Sequence, residues 1–506
     1  MTGWSVVRFV LPVATLLVTA APRTAPAQSA PRPPALSADS TALLRDAVVA
    51  SEAVQADLVR IDQLFRALHP ALFRHHSPAS WQAALDEVRD WARQPRTRGE
   101  VFVAFSRLVA SLRCGHTYLS FWNQPVAVHR WLTDGTDKLP FEYDLLDGDR
   151  WVVTRSATFL SGDSLAILPG DTIRAVNGVP VEDLVRRLLP LVRADGDNDG
   201  KRRALLDFRH RKEYEAIDVF LPLLTPPVGG RYAVERRRAG RTAVVQVAAV
   251  PSAMRRALAR PVPPARPTHE LTRPAAGVAM LRVDAFDYGR DEARWAPFVT
   301  ATFRQLARDR VGTLIVDLRE NEGGSDEGAE FLLRHLIRRP ITLPPLRRTV
   351  AYDTVPAAFR PWLSTWDRGF YDRRGSVTRT ADGAFALQEA AAWPAAIPVA
   401  PDAFTGRVLV LTSYVNSSAS HLLLRLLARQ PGVTLIGDET GGSLRAHTGG
   451  NLFFVTLPDT GFEIDLPLIA YEWGAAQPSG GVRPDIAVPA RDALVRALAE
   501  VRRPAP

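Results

Sequence analysis

The sequence predicts an α/β core preceded by a helical region and a β-rich region. Three observations carry this. Residues 275–495 alternate short, continuously apolar runs with amphipathic stretches, the pattern of buried strands joined by helices. Residues 41–130 place apolar side chains at helical spacing. Residues 137–262 alternate apolar and polar positions around an Asn-Gly turn.

Composition narrows the class. A chain of 506 residues fits about three domains. Its 46% hydrophobic and 23% charged residues exclude wholesale disorder. Cys114 is the single cysteine, which excludes a disulfide scaffold and any cysteine-ligated zinc or iron–sulfur centre. The net charge is +9, yet the basic residues are spread along the chain, without a basic tail or a basic–aromatic motif. Nucleic acid is therefore not an expected partner. Lys138, Lys201 and Lys212 are the only lysines.

At the N-terminus, Arg8 precedes an apolar run from Phe9 to Ala21, and Ala25-Pro26-Ala27 supplies small residues where a signal peptidase reads. This predicts a cleaved secretory signal over 1–27, a Pro/Ala/Ser-rich leader over 28–40, and a periplasmic or secreted protein without stable membrane insertion.

In the helical region, Val54, Leu58, Ile61, Leu64, Phe65 and Leu68 mark one helix. Ser77-Pro78 is an N-cap with proline in the first turn, ahead of Trp81, Leu85, Val88 and Trp91. Thr97-x-x-Glu100 is a capping box ahead of Phe102, Phe105, Leu108 and Leu112, with an end expected near Gly115. In the β-rich region, Phe141–Leu145 and Trp151–Val153 read as strands, and Leu168–Val181 as a loop, a strand, an Asn177-Gly178 turn and the start of another strand. A helix follows from about Glu182, then a hairpin around Ala239-Gly240. This order resembles a PDZ domain, which binds extended peptide at a sheet edge. Residues 251–274 read as a linker. In the core, Val278–Val283, Leu314–Leu318, Val408–Leu411 and Val433–Ile436 read as buried strands.

Three stretches could carry chemistry. Leu411 to Leu424 runs from a strand through a small polar turn into an apolar helix, exposing Ser418 where unpaired N–H groups and the helix dipole favour negative charge. Ser418 would be a nucleophile and the Ala419 N–H an oxyanion donor, although a serine-rich helix start is also an ordinary cap. Asp317 to Ser325 places paired glycines after a buried strand, where Gly323 could supply a second N–H. Gly115 would present His116, the residue type best suited to take a serine proton near neutral pH.

Together these stretches resemble the serine peptidases related to the C-terminal-processing proteases and the tricorn core. Asp317–Gly324 resembles the D-L-R-x-N-x-G-G signature, Ser418-Ala419-Ser420 the nucleophile turn, Gly437–Gly442 the G-x-x-T-x-G segment, and Gly481–Asp485 the closing G-V-x-P-D. Leu68-His69-Pro70 and Gly115-His116-Thr117 resemble the helical region of one bacterial branch. The resemblance implies a ClpP/crotonase-like spiral core over 275–495, an N-terminal helical bundle and a PDZ-like β-domain.

One branch of that family uses a lysine about 25 residues after the serine. Ser443 stands there, and no lysine follows Lys212, so a Ser/Lys pair within the core is excluded. The tricorn-like branch uses an upstream histidine, which His116 matches, and implies Glu472 as the residue that orients or stabilises it. His421 and His447 are rival bases. The expectation is a serine peptidase acting on proteins or peptides, with no metal or organic cofactor. The alternative is a non-catalytic peptide- or lipid-binding protein of the same fold.

Overall fold

A computed structural model describes residues 43–146, 149–158, 166–208, 216–261, 267–286, 292–343, 346–388, 393–473 and 477–502. The expected signal and leader lie outside the described residues. Helix α1 (Ser51–Leu68) buries the apolar stripe read from its sequence. Helix α2 (Pro78–Trp91) starts at Ser77, whose side chain accepts the Ser80 N–H. Helix α3 (Arg98–Ala110) opens with the Thr97/Glu100 capping box. It ends before Gly115 because Ser111 Oγ donates back to the Leu108 carbonyl (2.6 Å) and Arg113 turns the chain at φ 52°. Helix α4 (Val126–Asp134) had no clear sequence signal.

The β-rich region is an antiparallel sheet in spatial order β1-β2-β3-β4-β5. Its strands are β1 (Phe141–Leu146), β2 (Arg150–Ser156), β3 (Thr172–Val176), β4 (Arg231–Arg238) and β5 (Arg241–Ala248). Asn177 and Gly178 both take positive φ, 49° and 76°, so the chain reverses tightly and Val176 pairs with Val179. Helix α5 (Val181–Leu188) follows, then α6 (Asp199–Ala204) and α7 (Ala216–Leu224). This sheet does not stand apart from the helices before it. Phe102 of α3 meets Trp131 of α4, Phe220 of α7 and Phe462 of a later hairpin within one apolar core. The expected linker is also structured: α8 (Ser252–Leu258) is pinned by Arg255, buried and forked onto both carboxylate oxygens of Asp218 at 2.7 Å.

The core sheet contains β6 (His269–Ala275), β7 (Val278–Val283), β8 (Thr313–Asp317), β13 (Arg407–Thr412), β14 (Val433–Gly437) and β17 (Ile486–Ala487). Their order is β17-β14-β13-β8-β7-β6, parallel except for β6. Apolar side chains cover both faces, which is why these strands read as continuous apolar runs. Helices α9 (Glu292–Arg308), α10 (Asp326–Leu336), α11 (Ser418–Leu427) and α12 (Ala493–Val501) belong to this layer. The sheet between them that sequence reading missed has the order β10-β15-β16-β9-β12-β11. It is built on the long hairpin of β15 (Ala446–Leu457) and β16 (Phe462–Glu472), joined by β9 (Arg347–Val350), β10 (Leu363–Ser364), β11 (Val377–Arg379) and β12 (Phe385–Leu387). The whole is a mixed α/β fold. Among the described residues no helix is long and apolar enough to cross a membrane.

Strands β8 and β13 are parallel neighbours with Asp317 opposite Leu411. The loops that leave their carboxyl ends therefore emerge side by side, the usual place for a site in a parallel sheet.

Candidate active site

The turn after β13 is strained at one residue. Ser417 is extended, and Ser418, the first residue of α11, sits at φ 51°. A side chain in that left-handed region costs on the order of 1 kcal/mol or more, so neighbours must hold it there. Asn416 does much of the holding. Its amide donates to the carbonyls of Leu318 (2.6 Å) and Asn321 (3.0 Å), and its oxygen accepts the Ser413 N–H (2.8 Å). Ser417 Oγ donates to the Glu322 carbonyl (3.0 Å), and Ser420 Oγ to that of Asn321 (2.8 Å). The two adjacent loops are thus stitched along their length.

Gly323 lies against this turn at φ 121°. A Cβ there would sit 2.9 Å from Ser418 Cβ, 2.9 Å from the Ser417 carbonyl oxygen and 3.2 Å from the Ala419 nitrogen. The close approach expected of the paired glycines is present. The expected use of its N–H is not, because Gly323 N–H donates to Asn321 Oδ1 at 2.8 Å. The carboxamide closes the loop on itself and takes that donor. The next amide, Gly324, has no partner among the described residues, and the Ala419 N–H belongs to the first helical turn, which leaves its donors unpaired. A Cβ at Gly323 would push against Ser417 and Ser418, so Gly323→Ala should displace the serine turn and lower turnover of any substrate attacked at Ser418 by about 100-fold, measured as kcat/KM. A rate within threefold of wild type would show that the loop can shift without consequence.

His116 and Ser418 line the same cavity, of about 90 Å³, with Gly115, Arg193, Asp195, Lys201, Glu322 and Ser417 among its walls. The histidine loop is held through both backbone groups of Gly115: its N–H donates to Asp195 Oδ1, and Arg193 donates to its carbonyl, each at 2.8 Å. Beneath it, His69 Nε2 meets Thr117 Oγ1 at 2.9 Å, and Thr117 Oγ1 donates to Cys114 Sγ at 3.0 Å. The lone cysteine is a buried support. His116 Nδ1 is buried and has no hydrogen-bond partner among the described residues. Desolvation lowers the His116 pKa from the usual histidine value. Asp195 opposes that shift, and the charges of Arg193 and Lys201 reinforce it.

The rival histidines have other partners. His421 is buried under Gly442, with Nδ1 on Thr440 Oγ1 at 2.8 Å, and burial pushes its pKa down to about 4. His447 stacks on Tyr471 with ring centres 4.6 Å apart. Glu472 does not reach His116 as expected. At the end of β16 its carboxylate is drawn to Arg347 (3.2 Å) and Arg74 (3.6 Å) and lines a different, larger cavity. Asp195 is the carboxylate that stands by the histidine loop instead.

Sequence reading also missed Lys201. A lysine does enter the site, from α6 rather than from the core. Its ammonium donates to the Val415 carbonyl (2.9 Å), Glu322 Oε1 (3.1 Å) and Ser417 Oγ (3.3 Å). Asn198 caps α6 by accepting the Lys201 N–H (2.9 Å) and donates to the carbonyls of Thr440 (2.8 Å) and Gly442 (3.2 Å). Gly200 allows the approach, since a Cβ there would lie 2.1 Å from the Tyr414 ring. Residues 193–201 thus touch the histidine loop and the serine turn at once. The available signal was a charged, glycine-punctuated run, Arg193 to Lys201, inside a region read as β-rich.

Residues 277–488 match the sequence model of peptidase family S41. Among solved structures, mature CPAF complexed with lactacystin is similar over 89% of this chain and 97% of its own, with 15% identity and a TM-score of 0.57. The photosystem II D1 C-terminal processing protease (16% identity, TM-score 0.39, 88% and 97% covered) and the tricorn protease (12%, 0.34, 90% and 37%) are also similar. At such identity the likeness to CPAF is one of fold. Both loops of the strained turn lie inside the segment that matches peptidase family S41.

Proposed function

We propose that the chain is an exported serine peptidase in which Ser418 attacks a peptide carbonyl and His116 takes the serine proton. The observation that carries this reading is Ser418 forced into a left-handed conformation at a helix start, facing the cavity that His116 also lines. His116 then returns the proton to the leaving amine, and water repeats the sequence on the acyl-enzyme. The developing oxyanion is assigned to the Ala419 N–H, in the first helical turn, and to the Gly324 N–H, because the Gly323 N–H is taken by Asn321. Strand β5 is an edge of its sheet and could take extended peptide by strand addition.

The test is labelling of the mature chain, from Gln28, with a fluorophosphonate probe beside Ser418→Ala. Labelling that needs Ser418 supports an activated serine. A folded protein that neither labels nor hydrolyses peptide would favour a binding protein of the same fold.

A pH profile adds a second check. His116 must be neutral to act as base. Burial lowers its pKa, so the ring stays neutral to more acidic pH than an ordinary histidine. The acid limb of kcat/KM should therefore fall below about pH 6.5, the unperturbed value. A limb above that pH would remove His116 in this environment from the base role.

A further inference from the structure

A second cavity, of about 790 Å³, opens beside the hairpin of β15 and β16. The turn after α1, Pro70 to Phe73, forms one wall, and Arg66, Arg74, Arg347 and Arg445 face it, with Glu472 the only carboxylate in the lining among the described residues. Two of these cations are engaged elsewhere: Arg66 with Asp62 (2.6 Å) and Arg347 with Asp382 (2.5 Å). Arg445 has no ion pair or side-chain hydrogen bond among the described residues, and Arg74 Nη2 is buried without a hydrogen bond, 3.6 Å from Glu472. Buried guanidinium N–H groups without acceptors are costly, and their planar fork matches a carboxylate.

The cavity has a fixed relation to the site. Ala446 of β15 lines it, and Gly449, three residues further along the same strand, lies against the His116 ring, with a Cβ there 3.6 Å away. Three residues of strand span about 10 Å. An extended peptide has the same rise per residue, so a side chain about three positions from the bond at Ser418 reaches the arginines.

Resting on the peptidase reading, we infer that this cavity binds an acidic side chain of the peptide substrate and makes the enzyme selective for acidic sequences. Glu472 occupies one edge of the cavity as its internal carboxylate, and the excess of arginine leaves room for a second. A carboxylate on an extended chain, rather than a free anion, suits a volume this large and its continuity with β15.

The experiment uses the mature Ser418→Ala chain and fluorescent decapeptides that differ only by Glu or Gln three positions to either side of a central bond. Binding is read by anisotropy. The Glu peptide should bind about tenfold more tightly. Arg445→Gln, an exposed change that leaves the fold intact, should bring the Glu/Gln ratio close to one, as should 0.5 M salt (Debye length of about 4 Å). The same pair is then hydrolysed by the wild type. Equal binding of the two peptides overturns the inference, and so does a ratio unchanged in Arg445→Gln. Inorganic phosphate that binds the chain without any Glu/Gln difference would assign the cavity to a free anion and also overturn it. Selective binding with no hydrolysis of any peptide would keep the acidic-peptide site and sink the peptidase reading, so the two failures are distinct.

Discussion

Ser418→Ala and His116→Ala are each expected to reduce peptide hydrolysis by about 10⁴-fold or more, and the double variant no further. Groups that act on one proton fail together, because a serine without its base is a weak nucleophile and a base without its serine has nothing to activate. Non-additivity is therefore the informative part. Neither change should unfold the protein. Ser418 is partly exposed to the cavity, and Ser418→Ala removes only a hydroxyl. It keeps a Cβ at φ 51°, so the backbone strain persists in the variant. His116 Nδ1 has no partner to lose. The thermal midpoint should move by no more than about 1 °C, corresponding to about 1 kcal/mol in a chain of this length. If His116→Ala retained even a tenth of the rate, His421 would become the candidate base. The Thr440 bond and the buried position of its ring make that a demanding alternative.

The parts of the fold that could be read from the sequence are those fixed by local chemistry. Ser77 and Thr97 cap helices because each can reach an amide three residues on, and both capping boxes are there. Asn177-Gly178 turns because both residues tolerate positive φ. The apolar runs of β8 and β13 gave the parallel sheet, and their adjacency brought Gly323 to Ser418. What escaped depends on contacts distant in sequence. The β15–β16 hairpin has polar positions scattered along its length, and its burial follows from packing against the helices of the N-terminal region. Glu472 was assigned by motif order alone, and two arginines from other elements decide where it points. Lys201 lies 121 residues from Glu322 and 216 from Ser417, so no local pattern could join them. Counting lysines in the core excluded a core lysine correctly but did not address one delivered from outside it.

Lys201→Met should lower kcat by about 100-fold with little change in KM, and should move the acid limb of the pH profile upward. Lys201 joins the two loops that flank the attacked carbonyl, through Val415 and Ser417 on one side and Glu322 on the other. Methionine keeps the apolar stem but cannot donate. The Val415 carbonyl and the Glu322 carboxylate then lose a shared donor, and the turn at Ser418 loses a restraint. The second effect is electrostatic. Lys201 is one of the cations that lower the pKa of His116, along with Arg193, while Asp195 acts in the opposite sense and the neighbouring His447 is buried and held neutral. Removing a positive charge makes the protonated imidazole cheaper, so its pKa rises and activity begins to fall at a higher pH. Glu322→Gln separates the two effects. It keeps an oxygen acceptor for Lys201 and the cation beside His116, so its acid limb should not rise. A Lys201→Met enzyme with wild-type kcat would show that residues 193–201 merely cover the site. A large loss of kcat with the acid limb unmoved would show that the lysine acts on the serine turn alone, since only a change in charge near the imidazole displaces that limb.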